Sequence, residues 1–169
     1  MSEKPEWKAI GKFAIWLVPL IVVAGSLSGY FFRPDGWYEA LDKPSFQPPG
    51  AAFGIVWPIL YALQGLALAI ILAHPPSRTR RTAIVLFVVQ LLLNFAWSYV
   101  FFGARAIDIA QWHIVAILVL ATLATRRFFG LSPLAGALML PYLAWLIFAF
   151  SLNRAIVALN PDAAQPLFG

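Results

Sequence analysis

Residues 43–63 read KPSFQPPGAAFGIVWPILYAL. Three prolines and a polar tract precede an apolar run, and a fourth proline, Pro58, stands inside that run. Proline has no backbone N–H and its ring clashes with the preceding helical turn, so it breaks soluble helices. Inside a membrane span it is tolerated, because neighbouring helices satisfy the freed carbonyl. The stretch therefore reads as a stiff interfacial loop feeding a membrane helix. Pro44, Pro48 and Pro49 stiffen the loop, Gly50 releases the chain into the helix, and Pro58 loosens or bends that helix beside Trp57.

The rest of the chain agrees with a membrane setting. Its 169 residues are 62% hydrophobic and 11% charged, with a mean hydropathy of +0.81. A soluble domain is about 45–50% apolar and about 25% charged. Apolar segments occupy residues 10–32, 51–73, 82–102, 107–128 and 133–158. Each is long enough to cross a hydrocarbon core of about 30 Å. The expected fold is an all-α integral membrane protein, a five-transmembrane-helix bundle forming one domain over residues 1–169, with a loop at 33–50. The first segment follows lysines and ends in small residues, as a signal peptide does. It continues through Tyr30, Phe31 and Phe32, however, and so reads as a span. Its Gly25 and Gly29 have the G-x-x-x-G spacing that suits close helix contact. The chain has no cysteine, which excludes disulfides and thiolate chemistry.

Basic residues sort by side. Lys4, Lys8, Lys12, Arg78, Arg80, Arg81, Arg126 and Arg127 fall at one end of the spans, and Arg33, Lys43, Arg105 and Arg154 at the other. This asymmetry predicts a cytoplasmic N-terminus. The net charge of +5 then meets anionic headgroups of the lipid bilayer, and no nucleic-acid partner is needed. With no Arg/Ser-rich presequence, the expected location is a bacterial cell membrane, or an organellar outer membrane in a eukaryote.

The middles of the spans contain no Asp, Glu, Lys or Arg. That argues against a proton-coupled pump, a voltage sensor or a channel with a charged filter. Asp108, Gln111 and His113 lie in the first turns of the fourth span. Neither His74 nor His113 has a second ligand at helical spacing, so no metal site is expected. Neutral side chains sit at depth instead. Trp57, Tyr61 and Gln64 share a face of the second span, and Gln90, Asn94, Trp97 and Ser98 repeat the pattern in the third. Tyr142, Trp145, Ala149 and Leu152 line one side of the fifth, with Ser151 and Asn153 near its end. Taken singly, such groups are ordinary packing and interhelical hydrogen bonds. Three matching stripes predict a neutral aromatic cavity for a flat aromatic or amphipathic ligand.

Three motifs, GWYEALDKPSFQPPGAAFGIVWPILYAL (36–63), LLLNFAWSYVFFGAR (91–105) and LPYLAWLIFAFSLN (140–153), occur in this order. With them the chain closely resembles the translocator protein family, also called tryptophan-rich sensory proteins and formerly peripheral-type benzodiazepine receptors. The resemblance implies a five-helix bundle, a homodimer, and a pocket opening toward the first loop. It implies binding of porphyrins and haem-type tetrapyrroles as ligands, with no obligatory cofactor, and of sterols in some branches. By motif position, Trp37, Tyr38, Phe46 and Pro48 would belong to the loop roofing the pocket. Trp57, Tyr61, Asn94, Trp97, Trp145 and Ala149 would line it.

Two positions depart from the family pattern. Phe46 stands where tryptophan is usual, keeping a ring but losing the indole donor. The residues after Asn153 lack the tyrosine of the animal sterol motif, which favours a tetrapyrrole over a sterol. The expected function is a membrane receptor or carrier of porphyrin-type ligands, acting as sensor, transporter or modulator. An alternative is a light-dependent, porphyrin-degrading enzyme in which Trp57 and Trp145 carry the radical chemistry.

Overall fold

The computed structural model describes residues 7–163, so Lys4 lies outside the described residues. Five helices of 23–27 residues are long and apolar enough to cross a membrane. They are α1 (Trp7–Phe31), α3 (Gly50–Leu72), α4 (Arg78–Ser98, continued by a π-helical turn at Tyr99–Gly103), α5 (Ile107–Leu131) and α6 (Pro133–Leu159). A short helix, α2 (Gly36–Ala40), lies in the first loop. Neighbours in space run α1–α3–α6–α5–α4, and a sparse α4–α1 seam closes the ring.

The helix boundaries follow local chemistry. Ser77 caps α4 by accepting from the Arg80 N–H at 3.1 Å, and Ser132 caps α6 ahead of Pro133. Proline suits a first helical position, where its missing N–H would have no partner anyway. Arg80 closes the opposite side of its turn by donating to the carbonyls of Ile71 and Leu72 at the end of α3. These are the last-turn carbonyls that a helix cannot satisfy itself.

Two glycines seat α1 on α3. Gly25 is buried against the Tyr61 ring, where a Cβ would collide with the ring carbons. Gly65 faces the other way, and a Cβ there would lie 2.9 Å from the Val18 Cα. The expected G-x-x-x-G contact therefore divides. Gly25 makes a close approach, whereas a Cβ at Gly29 would meet nothing within 4 Å. Most of the remaining α1 surface is exposed and apolar, including Trp16, Leu20 and Val23. Such a surface suits lipid rather than water.

The first loop is more ordered than its prolines alone suggested. Asp35 accepts from the Tyr38 N–H at 3.2 Å and thereby starts α2, an N-cap followed by an acidic first turn. Arg105, the one described non-glycine residue with positive φ (57°), donates to Asp35 at 3.1 Å. Its guanidinium also lies over the Trp37 ring. At the far end of the loop, Asn160 exchanges two 2.8 Å hydrogen bonds with the Asp42 backbone. The loop is thus tied to the α4–α5 turn and to the end of α6.

The helix-cap bond from Tyr38, with the Arg105 partner, holds the Asp35 carboxyl below its ordinary range. A depressed carboxylate contributes stability above its unfolded pKa and loses it as pH falls through the folded value. Loop protection is accordingly expected to be constant from pH 5 to 8 and to fall only below about pH 4. Amide exchange of residues 35–42 against pH checks this.

Candidate functional site

All five long helices contribute to one cavity of about 400 Å³ at the loop end of the bundle. Its size falls within the range of small-molecule sites, about 300–1,000 Å³. The side chains that build its wall are mostly aromatic. On α3, Trp57 stacks on Tyr61 with ring centroids 5.4 Å apart, and meets Trp145 of α6 edge-on at 6.3 Å. Phe53, one turn earlier on α3, also meets Trp145 edge-on. Across the cavity, Trp97 stacks on Phe101 at 5.0 Å and donates its indole N–H to the Ala110 carbonyl at 3.2 Å. That bond ties α4 to α5 and fixes the ring plane.

The π-helical turn supplies more of this wall. Its Ala104 N–H reaches back to the Tyr99 carbonyl at 2.7 Å, the long bond pattern that defines such a turn. Phe101 and Phe102 are thereby set side by side, 4.8 Å apart, against Trp97 and under Tyr38. On the α3 side, Pro58 borders the cavity together with Gly54. Since Pro58 has no N–H, the Gly54 carbonyl loses its helical donor at the cavity edge.

Polar groups mark the inner end. The Tyr61 hydroxyl donates to Asn94 Oδ1 at 2.8 Å, joining α3 to α4. Deeper in the core, Tyr142 donates to Gln90 Oε1 at 2.8 Å, and Gln90 Nε2 donates to Gln64 Oε1 at 3.1 Å. Gln64 and Gln90 are fully buried and tie α3, α4 and α6 together. They therefore serve as helix ties, while Asn94 reaches the cavity itself. No charged side chain lines the cavity among the described residues. The Trp145 indole N–H faces this setting without a hydrogen-bond partner.

Of the ten residues that the resemblance places at the pocket, Tyr38, Trp57, Tyr61, Asn94, Trp97, Trp145 and Ala149 border this cavity. Three do not. Trp37 packs edge-on against Phe101 and under Arg105, in the cluster that seats the loop. Phe46 is half exposed and meets Phe148 of α6 edge-on, off the cavity wall. Pro48 shapes the entry to α3, and its neighbour Gln47 reaches the cavity instead, beside the Tyr38 hydroxyl. Burial pushes the Tyr38 phenol up, so it stays neutral there.

The structure adds Gly29 of α1, Phe53, Gly54 and the π-turn phenylalanines, and it places Asn153, read at the end of the fifth span, on the cavity wall. Glycines within the spans were a readable signal for Gly29 and Gly54, because missing side chains leave space. Nothing in the sequence pattern distinguished the π-helical turn from ordinary α-helix. The histidines stand apart from the cavity: His74 bonds the Ile70 carbonyl at 2.9 Å, and His113 lies on α5.

Five membrane-length helices around a neutral, tryptophan-walled cavity define a polytopic membrane protein with an internal cavity. Residues 17–159 match the TspO/MBR family, and the chain belongs to that family. It is 35% identical to the tryptophan-rich protein TspO of Chlorobaculum tepidum, over 91% of this chain and 99% of that one. It is 36% identical to the human translocator protein, over 71% of this chain and 72% of that one. The tryptophan-rich sensory protein of Cereibacter sphaeroides is 32% identical, over 81% and 85%. The protein is accordingly an integral membrane protein of the TspO type.

Proposed function

We propose that the cavity binds a porphyrin-type tetrapyrrole and that the protein serves as a membrane receptor or carrier for it. The observation that carries this reading is the wall of Trp57, Trp97 and Trp145 around an uncharged cavity with polar groups at one end. A flat apolar macrocycle gains from burial against such rings, and its few polar substituents need donors and acceptors at fixed points. Asn94 and Tyr61 offer these at the inner end, and Gln47 and Tyr38 under the loop. A sterol is the second ligand class, disfavoured by the sequence after Asn153. By resemblance the protein forms a homodimer, and its charge asymmetry favours a cytoplasmic N-terminus.

Titrating protoporphyrin into the purified protein is expected to quench tryptophan fluorescence saturably. Asn94→Ala removes a polar partner and unpairs Tyr61. It is expected to weaken protoporphyrin binding about tenfold, as the loss of a buried hydrogen bond does. Non-saturable quenching, or unchanged affinity in this variant, counts against the assignment.

A further inference from the structure

One buried polar atom on the cavity wall has a fixed orientation and no partner. Asn153 lies on α6, is 2% exposed, and borders the cavity near its loop end. Its Nδ2 donates at 2.8 Å to the carbonyl of Ile107, in the first turn of α5. Turning the amide over would place Oδ1 against that carbonyl, acceptor facing acceptor, so the bond decides which end is oxygen. Asn153 Oδ1 consequently has no donor among the described residues. The surrounding wall, Ala149, Leu152 and Ile156, has no side-chain donor to give it.

Unpaired buried acceptors are uncommon in native proteins, because each forfeits its hydration without replacement. The acceptors Asn94 Oδ1 and Gln90 Oε1 in the same bundle are both paired. Gln64 Nε2 also lacks a partner, but it lies in the helix core and off the cavity. Gln47 Oε1 and the Trp145 indole N–H also border the cavity without partners. Asn153 Oδ1 differs in being an acceptor held in place on a spanning helix by its amide's own bond to Ile107.

We propose that Asn153 determines specificity, its Oδ1 selecting flat apolar ligands that present an N–H or O–H donor at the loop end of the cavity. The inference rests on the cavity being a tetrapyrrole site. A hydroxyl-bearing macrocycle supplies the missing donor. One with only alkyl or ether groups there buries the amide oxygen unpaired. Sites built to hydrogen-bond a ligand discriminate strongly against analogues that lack the group.

Three porphyrins serve as probes: haematoporphyrin, which has hydroxyethyl groups; its bis-O-methyl ether, which keeps the oxygens without the O–H; and mesoporphyrin, with ethyl groups at the same positions. Their affinities are read by tryptophan quenching on the purified full-length protein. The wild type is expected to bind haematoporphyrin about tenfold more tightly than either analogue. Asn153→Leu is expected to erase that preference while still binding mesoporphyrin. Equal affinities in the wild type, or a preference that survives in Asn153→Leu, overturns the role of Asn153 and leaves the cavity assignment standing. Absence of quenching by all three removes the tetrapyrrole reading and this inference with it. Leucine also breaks the bond to Ile107, so if that variant does not fold, the wild-type comparison decides alone.

Discussion

Gly65→Val is expected to destabilise the bundle by about 2–3 kcal/mol, the cost of overpacking a close-packed contact. A Cβ at this position would sit 2.9 Å from the Val18 Cα and 3.3 Å from the Leu17 carbonyl oxygen. Both are backbone atoms of α1, so no side-chain rotation relieves the clash and the helix itself must move. α1 has few alternative footholds, since it meets α4 sparsely and buries only Ile10, Ile21 and Gly25. Displacing it also opens the cavity, whose α1 wall is Gly25, Ser26 and Gly29. Gly54→Val is the matched control, because a Cβ there meets nothing within 4 Å. Thermal unfolding in detergent should separate the two, and equal midpoints would show that Gly65 does not seat α1.

The largest effect on ligand affinity is expected from Trp57→Ala. Trp57 contacts Tyr61, Tyr142 and Trp145 through its ring, so it is both a wall and a support for the rest of the wall. Buried tryptophans at binding surfaces typically cost at least about 2 kcal/mol on truncation, which is roughly 30-fold in affinity. Trp37→Ala provides the contrast: Trp37 packs beneath Arg105 without reaching the cavity. Its removal loosens the loop and should cost no more than about fivefold. Comparable losses in the two variants would mean that the ligand lies under the loop and not within the bundle.

These contrasts trace what could and could not be read in the chain. Hydropathy marks the spans because twenty or so apolar residues have few other uses, and Pro133 after Ser132 marks the start of α6 nearly to the residue. Periodicity likewise placed Trp57, Tyr61, Asn94, Trp97, Trp145 and Ala149 on inward faces, since side chains three or four apart share a helix surface. It could not separate residues that touch the cavity from those that tie helices beneath it, as with Asn94 and Gln90. That difference depends on helix rotation, which long-range packing sets.

The loop was harder still. Its prolines suggested a uniformly extended roof, but Asp35 caps a helical turn that turns Trp37 toward Arg105 and leaves Tyr38 and Gln47 facing the cavity. The Asp35–Gly36 capping signal was present in the sequence. Its partner Arg105 lies 70 residues away and could not be anticipated. Phe46 resolves differently from its motif position, because its ring meets Phe148 and does not border the cavity.

The most direct measurement compares protoporphyrin binding to the wild type and to Gly54→Phe. Gly54 borders the cavity, and a side chain added there has open space to enter. If the ligand occupies this cavity, the wild type saturates at one porphyrin per chain. The filled variant should then lose at least about tenfold in affinity while unfolding at the same temperature. Unchanged affinity in a folded Gly54→Phe would contradict the assignment of the cavity as the binding site.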